Sequence, residues 1–385
     1  MKKILALLLA LMLVAALVAC AADEPPPVDA PPVDDAPAPP PDDDDEPAPP
    51  PDDDDEPAPP AETPAYFQGT PMFPMEPGSQ AGFDNIGKDS LVIIYMPPGL
   101  ELPIYRAIGA GIEQIATENG FTMQTLGPTL ATEIAEQLAM MQDAIFMNPD
   151  VIIFGTHDDY GAAPLVQQGV EQGIMMIKVN SDIPSFPTPI HAVVGYGQRQ
   201  GQRDVGEFLV EYLAGREVNL AMTMGLPGWH INERNGGFLE GIAGADNINI
   251  VTEVVGGWTV EGGLAASTDL LQAHPEIDVI WGGNDNEARG SQMAAAALGR
   301  DDIIFVGNGG DTAGLEAIYD GLIHITAATT PFIIGQVAMN VALAGLTGEF
   351  QGGFVETPVV VAHAGNVVEL LRDRDTLFPL PTRYF

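Results

Sequence analysis

Beyond residue 90, short apolar runs alternate with amphipathic stretches along most of the chain. Segment 90–95 is a run of β-branched and apolar side chains, the pattern of a strand buried on both faces. A helix is predicted from Pro103, with proline in its first turn and Gly120 just past its end. The strand pattern recurs at 122–126, 151–154 and 175–179, with helical periodicity at 132–147 and 162–172 between them. It then restarts with a strand at 192–194 and a helix at 201–214. Strands are predicted at 218–223, 248–255, 279–281, 303–306 and 323–328, and helices at 232–243, 261–273, 287–298 and 311–320. A helix at 332–344 and a late strand at 354–361 close the series. Such alternation predicts right-handed βαβ units in parallel sheets. Its restart predicts an α/β fold of two doubly wound lobes with a cleft between their strand ends.

The stretch from 279 to 311 carries the most chemistry. Two apolar strands there each break at glycines and then present short polar side chains, Asn284 and Asp285 after one, Asn308 and Asp311 after the other. Ligands of open parallel sheets sit at the carboxyl ends of the strands. Amides and carboxylates at that place offer the paired donors and acceptors that vicinal hydroxyls need. Turn and helix-cap chemistry accounts for the same residue types.

The two ends differ from this body. Met1–Lys3 is basic and residues 4–18 are uncharged and apolar, the layout of an export signal too short to span a membrane. Leu17-Val18-Ala19-Cys20 follows and resembles the lipobox of bacterial lipoproteins, which implies lipidation of Cys20, the single cysteine. Residues 21–65 are dominated by Pro, Asp, Glu and Ala, with a ten-residue unit at 42–51 repeated at 52–61. Lacking apolar side chains to bury, this segment reads as a disordered, extended tether. Residues 66–89 are rich in Gly and Pro without a period and read as an irregular lead-in.

Formal net charge is -40, and sixteen of the 54 acidic residues lie in the tether. Beyond residue 65, 38 acids still face 12 basic residues, of which only Lys88 and Lys178 are lysines. Nucleic acid and anionic membrane surfaces are therefore poor partners. A self-repelling acidic body of this kind suits high salt, with compositional drift as the plainer account.

An ordered series of features resembles the periplasmic ribose/galactose-type solute-binding proteins that feed ATP-driven (ABC) importers. Pro103-Ile104-Tyr105 is similar to that family's proline-aromatic opening of the first helix. Asn180-Ser181-Asp182 stands where a polar Asp-Arg pair usually lies. Glu233-Arg234-Asn235-Gly236-Gly237-Phe238 fits the Arg-x-x-Gly-Phe helix start, and Asn284-Asp285 the Asn-Asp after a strand. The likeness runs from about 90 to 368. It implies a type I periplasmic binding protein fold with a three-segment hinge. The lobes would be 90–197 with 330–361 and 198–329 with 362–385, crossing near Gly197, Thr329 and Val361. It implies ligand contacts at Tyr105, Asn180, Arg234, Trp258, Asn284 and Thr329, with Tyr105 and Trp258 sandwiching a sugar ring and Arg234 supplying a fork of donors. Asn308-Gly309-Gly310 replaces the family's Phe-Asp-Gly, so the usual carboxylate is missing; either Asp311 reaches back or the ligand lacks the hydroxyl pair that aspartate grips.

The expected function is an extracytoplasmic, lipid-anchored binding protein. It captures a small polar ligand, a monosaccharide, by hinge closure and hands it to an ABC permease. It would act as a monomer without cofactor, metal or nucleic acid. The same fold serving a membrane sensor kinase or chemoreceptor is the alternative. An enzyme is disfavoured, since no Gly-x-Gly-x-x-Gly, Gly-x-Ser-x-Gly or phosphate-loop motif occurs. His157-Asp158 reads as loop and helix cap, and Trp229-His230 as a Gly-rich loop at the cleft edge that can add contacts, with His230 itself read as loop structure.

Overall fold

A computed structural model describes residues 72–73, 91–350 and 352–381. The export signal, Cys20 and the acidic tether lie outside them. The described residues form one compact unit, with 13 strands and ten helices.

In chain order the first sheet takes β1 (Met72–Phe73), β2 (Val92–Met96), β3 (Thr122–Thr125), β4 (Val151–Phe154), β5 (Met175–Val179) and β6 (Ala192–Gly195). Helices α1 (Pro103–Glu118), α2 (Ile134–Phe146) and α3 (Asp159–Glu171) connect them. The second sheet takes β7 (Val218–Met224), β8 (Ile248–Val255), β9 (Val279–Gly282), β10 (Ile304–Gly309) and β11 (Ile325–Ala328). Its helices are α4 (Gln198–Leu213), α5 (Trp229–Ile242), α6 (Val260–Ala273), α7 (Asp285–Ala297) and α8 (Thr312–Tyr319). The chain then returns through α9 (Pro331–Thr347) to β12 (Gly353–Glu356), and leaves through β13 (Val360–His363) and α10 (Val367–Arg372).

Strand order is β1-β12-β6-β5-β4-β2-β3 in the seven-stranded sheet and β13-β11-β10-β9-β7-β8 in the six-stranded one. All pairings are parallel except β1 with β12 and β13 with β11. Strand order reverses between β2 and β4 in one sheet and between β7 and β9 in the other. Those are the points where crevices open outside the carboxyl ends. Strands such as β4 and β5 are buried along their whole length, as continuous apolar runs in a helix-covered sheet must be.

The two doubly wound parallel-sheet lobes are thus as the alternation predicts, but several boundaries differ. The run at 354–361 is not one strand. Its first half pairs parallel with β6 and its second half antiparallel with β11, so β12 and β13 belong to different lobes. Thr357, Pro358 and Val359 lie between them, and the Pro358 carbonyl accepts from the Thr330 hydroxyl, another crossing residue, at 3.1 Å. Within the lead-in, Met72 and Phe73 pair with β12 rather than staying irregular. Strand β10 continues to Gly309, so Asn308 is a strand residue. Helix α5 opens at Trp229, so Trp229 and His230 form its first turn and not a loop.

Candidate functional site

A cleft of about 450 Å³, counting the space open to solvent, lies between the lobes. The lobe of the first sheet contributes Leu102, Ile104 and Tyr105 from the start of α1, His157 after β4 and Asn180 after β5. The other lobe contributes His230 and Arg234 from α5, Trp258 after β8, Asn284 and Asp285 after β9, and Asn308 and Asp311 around the end of β10. The cleft therefore draws together seven of the eight residues named from the sequence. Thr329 does not line it. Its buried hydroxyl donates to the Gly309 carbonyl at 2.7 Å and ties the ends of β10 and β11 together beside the crossing.

Trp258 stands at the centre of the second lobe's wall. It is 3% exposed and its φ is +76°, a strained conformation for a bulky side chain. Two contacts hold it there. Its N–H donates to Glu287 Oε1 at 3.1 Å, and its carbonyl accepts from Asn284 Nδ2 at 2.9 Å. Gly225 lies flat beneath the indole, where any Cβ would fall on the ring. The Arg234 guanidinium is 5.3 Å from the indole centroid and the His157 ring 5.7 Å from it. These are the groups the structure brings to the ring, so the expected Tyr105–Trp258 sandwich has other neighbours to accommodate.

Several polar side chains are already committed within the protein. Asn284 caps α7 by accepting from Glu287 N at 2.8 Å, so cap chemistry accounts for one face of it and the clamp on Trp258 for the other. Asn308 donates to Tyr196 Oη at 2.8 Å and accepts from Gln202 Nε2 at 3.0 Å. Asp311 caps α8 through Gly314 N at 3.0 Å. Asp285 accepts from Thr326 Oγ1 at 2.5 Å and Gly310 N at 2.9 Å, and burial, with the charge of Asp311 second, pushes its carboxyl up to about 6. Arg234 donates to Gln198 Oε1 at 3.1 Å and the Gly283 carbonyl at 3.0 Å. Gln198 in turn binds Asp182, which also accepts from Trp229 Nε1 at 2.8 Å.

Other polar atoms facing the cleft have no partner. Among the described residues, His157 Nδ1, Asn180 Oδ1, His230 Nε2 and Trp258 Nε1 are buried without a hydrogen bond. Each such atom costs on the order of 1–3 kcal/mol unless a guest satisfies it. Asn180 sits at φ +57° with its amide donating to Tyr105 Oη at 3.2 Å, which leaves the carbonyl oxygen free. Burial pushes the Tyr105 phenol up to about 12, so it stays neutral. His230 donates from Nδ1 to Gln198 Oε1 at 3.0 Å, because that oxygen also receives Arg234 Nε–H. Its Nε2 is thus an acceptor. Burial holds His157 down to about 4 and His230 well below the usual imidazole range, so both are uncharged near neutrality.

The sequence places His230 at the cleft edge but as loop structure, and takes His157 for loop alone; both line the cleft. His157 follows β4 at its carboxyl end, a usable signal. Asp158 is the helix cap it was read to be, accepting from Gly161 N at 2.9 Å.

The periplasmic binding protein domain family matches residues 93–350. A D-ribose/D-allose-binding protein of Pseudomonas aeruginosa is 28% identical over 269 residues, covering 66% of this chain and 83% of that protein. A ribose import binding protein of Bacillus subtilis is 24% identical over 269 residues, covering 70% and 86%. Among solved structures, an ABC transporter solute-binding protein of Actinobacillus succinogenes with bound D-allose superposes with a TM-score of 0.67 at 21% identity, over 73% of this chain and all of that one. A Caulobacter myo-inositol binding protein does so with a TM-score of 0.67 at 22% identity, over 74% and 97%. Two parallel-sheet lobes joined by three crossings form the type I architecture, and the chain belongs to the periplasmic binding protein family.

Proposed function

We propose that this protein binds a small uncharged polyhydroxylated ligand, a simple sugar, outside the cytoplasm and delivers it to an ABC importer. The observation that carries the reading is the set of four unpartnered polar atoms on both lobes, beside the Trp258 indole, in one interlobe cleft. Hydroxyls donate and accept at once, which suits His230 Nε2 and Asn180 Oδ1 on one side and Trp258 Nε1 on the other. An aromatic face next to fixed polar groups suits a sugar ring. The relatives named for ribose and allose, and the solved neighbours holding allose and inositol, support the same class of guest.

Contacts to the guest are assigned to Tyr105, Asn180, Arg234 and Trp258, with His157 and His230 added. Asn284, Asn308, Asp311 and Thr329 are assigned to holding the walls in place. Because the contacts come from both lobes, the guest biases an open–closed equilibrium toward the closed form that an importer recognises. The protein makes and breaks no bond in its ligand, acts as a monomer, and is moored by a lipid on Cys20 after export.

A thermal-shift screen of pentoses, hexoses and polyols, followed by calorimetry on the hits, tests the reading. A sugar that raises Tm and is recovered unchanged supports it. Absence of binding to every neutral carbohydrate sinks it.

A further inference from the structure

Outside the inner cleft lies a second cavity of about 730 Å³, also walled by both lobes. His157, Asp158, Tyr160 and Ser185 come from the first lobe, and Trp229 and Asn232 from the start of α5 in the second. His157 lines both spaces. We infer that the outer cavity is a second subsite, and that the guest is a neutral disaccharide or short glycoside with one ring in the cleft and the next in this vestibule. The inference rests on the sugar reading of the inner cleft.

Two observations point to this occupant. The outer walls repeat the inner chemistry. They carry an indole and a phenol for ring faces, with a carboxylate, an amide and a hydroxyl for ring hydroxyls. Trp229 is fixed for that task by its bond to Asp182 and by packing against the first lobe's core. Tyr160 is 83% exposed in the first turn of α3, an aromatic that adds nothing to the core. Finally, charge restricts the class. Asp158 and Asp159 lie on this wall, and Lys178 is already paired with Asp159, so sugar phosphates and uronic acids are disfavoured. On the residue common to both linings, the unpartnered His157 Nδ1 is a partner for the bridging oxygen or a hydroxyl beside it.

The test is calorimetry with D-ribose, D-allose, D-glucose, D-galactose and myo-inositol against cellobiose, lactose, maltose and melibiose. At least one disaccharide should bind about tenfold tighter than the monosaccharides composing it. Tyr160→Ala should abolish that gain while leaving monosaccharide affinity within about twofold. Asn232→Ala, also exposed, is the second variant with the same expectation. Monosaccharide binding with every disaccharide weaker or excluded overturns the second subsite and leaves the sugar reading standing. No binding by any of the probes overturns both.

Discussion

His157 and His230 face each other from opposite lobes with ring centroids 6.3 Å apart. The cations nearby are Lys178 and Arg234, while Asp159 is bound to Lys178 and Asp182 to Gln198 and Trp229. A proton on either ring therefore adds charge to an already positive corner. In an open cleft an imidazole titrates near ~6.5, but closed burial holds His157 at about 4. Closure thus favours the neutral ring and is opposed as pH falls from about 6.5 toward 4. Ligand affinity should be level from pH 8 to 7 and decline below 6.5, and His157→Gln should flatten the decline. An unchanged profile in that variant, followed by calorimetry, would remove His157 from the account.

Glu287 works in the opposite direction. Burial raises its carboxyl to about 8, so in the folded protein it stays protonated over a range where the unfolded chain is ionised. Stability is then lost as pH rises from about 4.5 to 8. Glu287→Gln keeps an acceptor for Trp258 N–H and should gain about 1–3 kcal/mol at pH 8 with little change at pH 4.5, read from denaturant midpoints. Arg234→Ala should weaken ligand binding by about 100-fold, with circular dichroism unchanged; calorimetry within threefold of wild type would count against its role.

Between elements, α1 and α9 are far apart in sequence and packed side by side. A Cβ on Gly335 would overlap the Ile108 carbonyl oxygen, and one on Gly111 the Phe332 carbonyl oxygen. Gly335→Ala must push the helices apart, and overpacking of this kind costs about 1–3 kcal/mol. Thermal unfolding should show it as a lowered Tm; an unchanged Tm would mean that the pair is loosely held. The order of strands and helices was legible from apolar runs and their period. Their ends were less so. Asn308 is drawn into β10 by pairing with Ala327 of β11, and Trp229 into α5 by its bond to Asp182 across the cleft.

At the scale of the whole molecule, the lobes are joined by three segments of chain, near 197, 330 and 357–359. The acidic body adds mutual repulsion that salt screens. Tm should rise between 0.1 M and ~2 M NaCl; a flat response would leave the charge as compositional drift.

The sequence by itself determined the alternation of strand and helix, its restart, and a concentration of amides and carboxylates at strand ends. Those are short-range properties, set by side-chain period and by glycine and cap chemistry within a few residues. Only the tertiary structure decided which of these side chains remain available. Asn284 and Asn308 are clamped by groups distant in sequence, and Thr329 turns to Gly309. His157 and His230 face one another only because the two lobes meet there. Whether a polar atom ends up unpartnered depends on every element packed around it, and no local pattern contains that information.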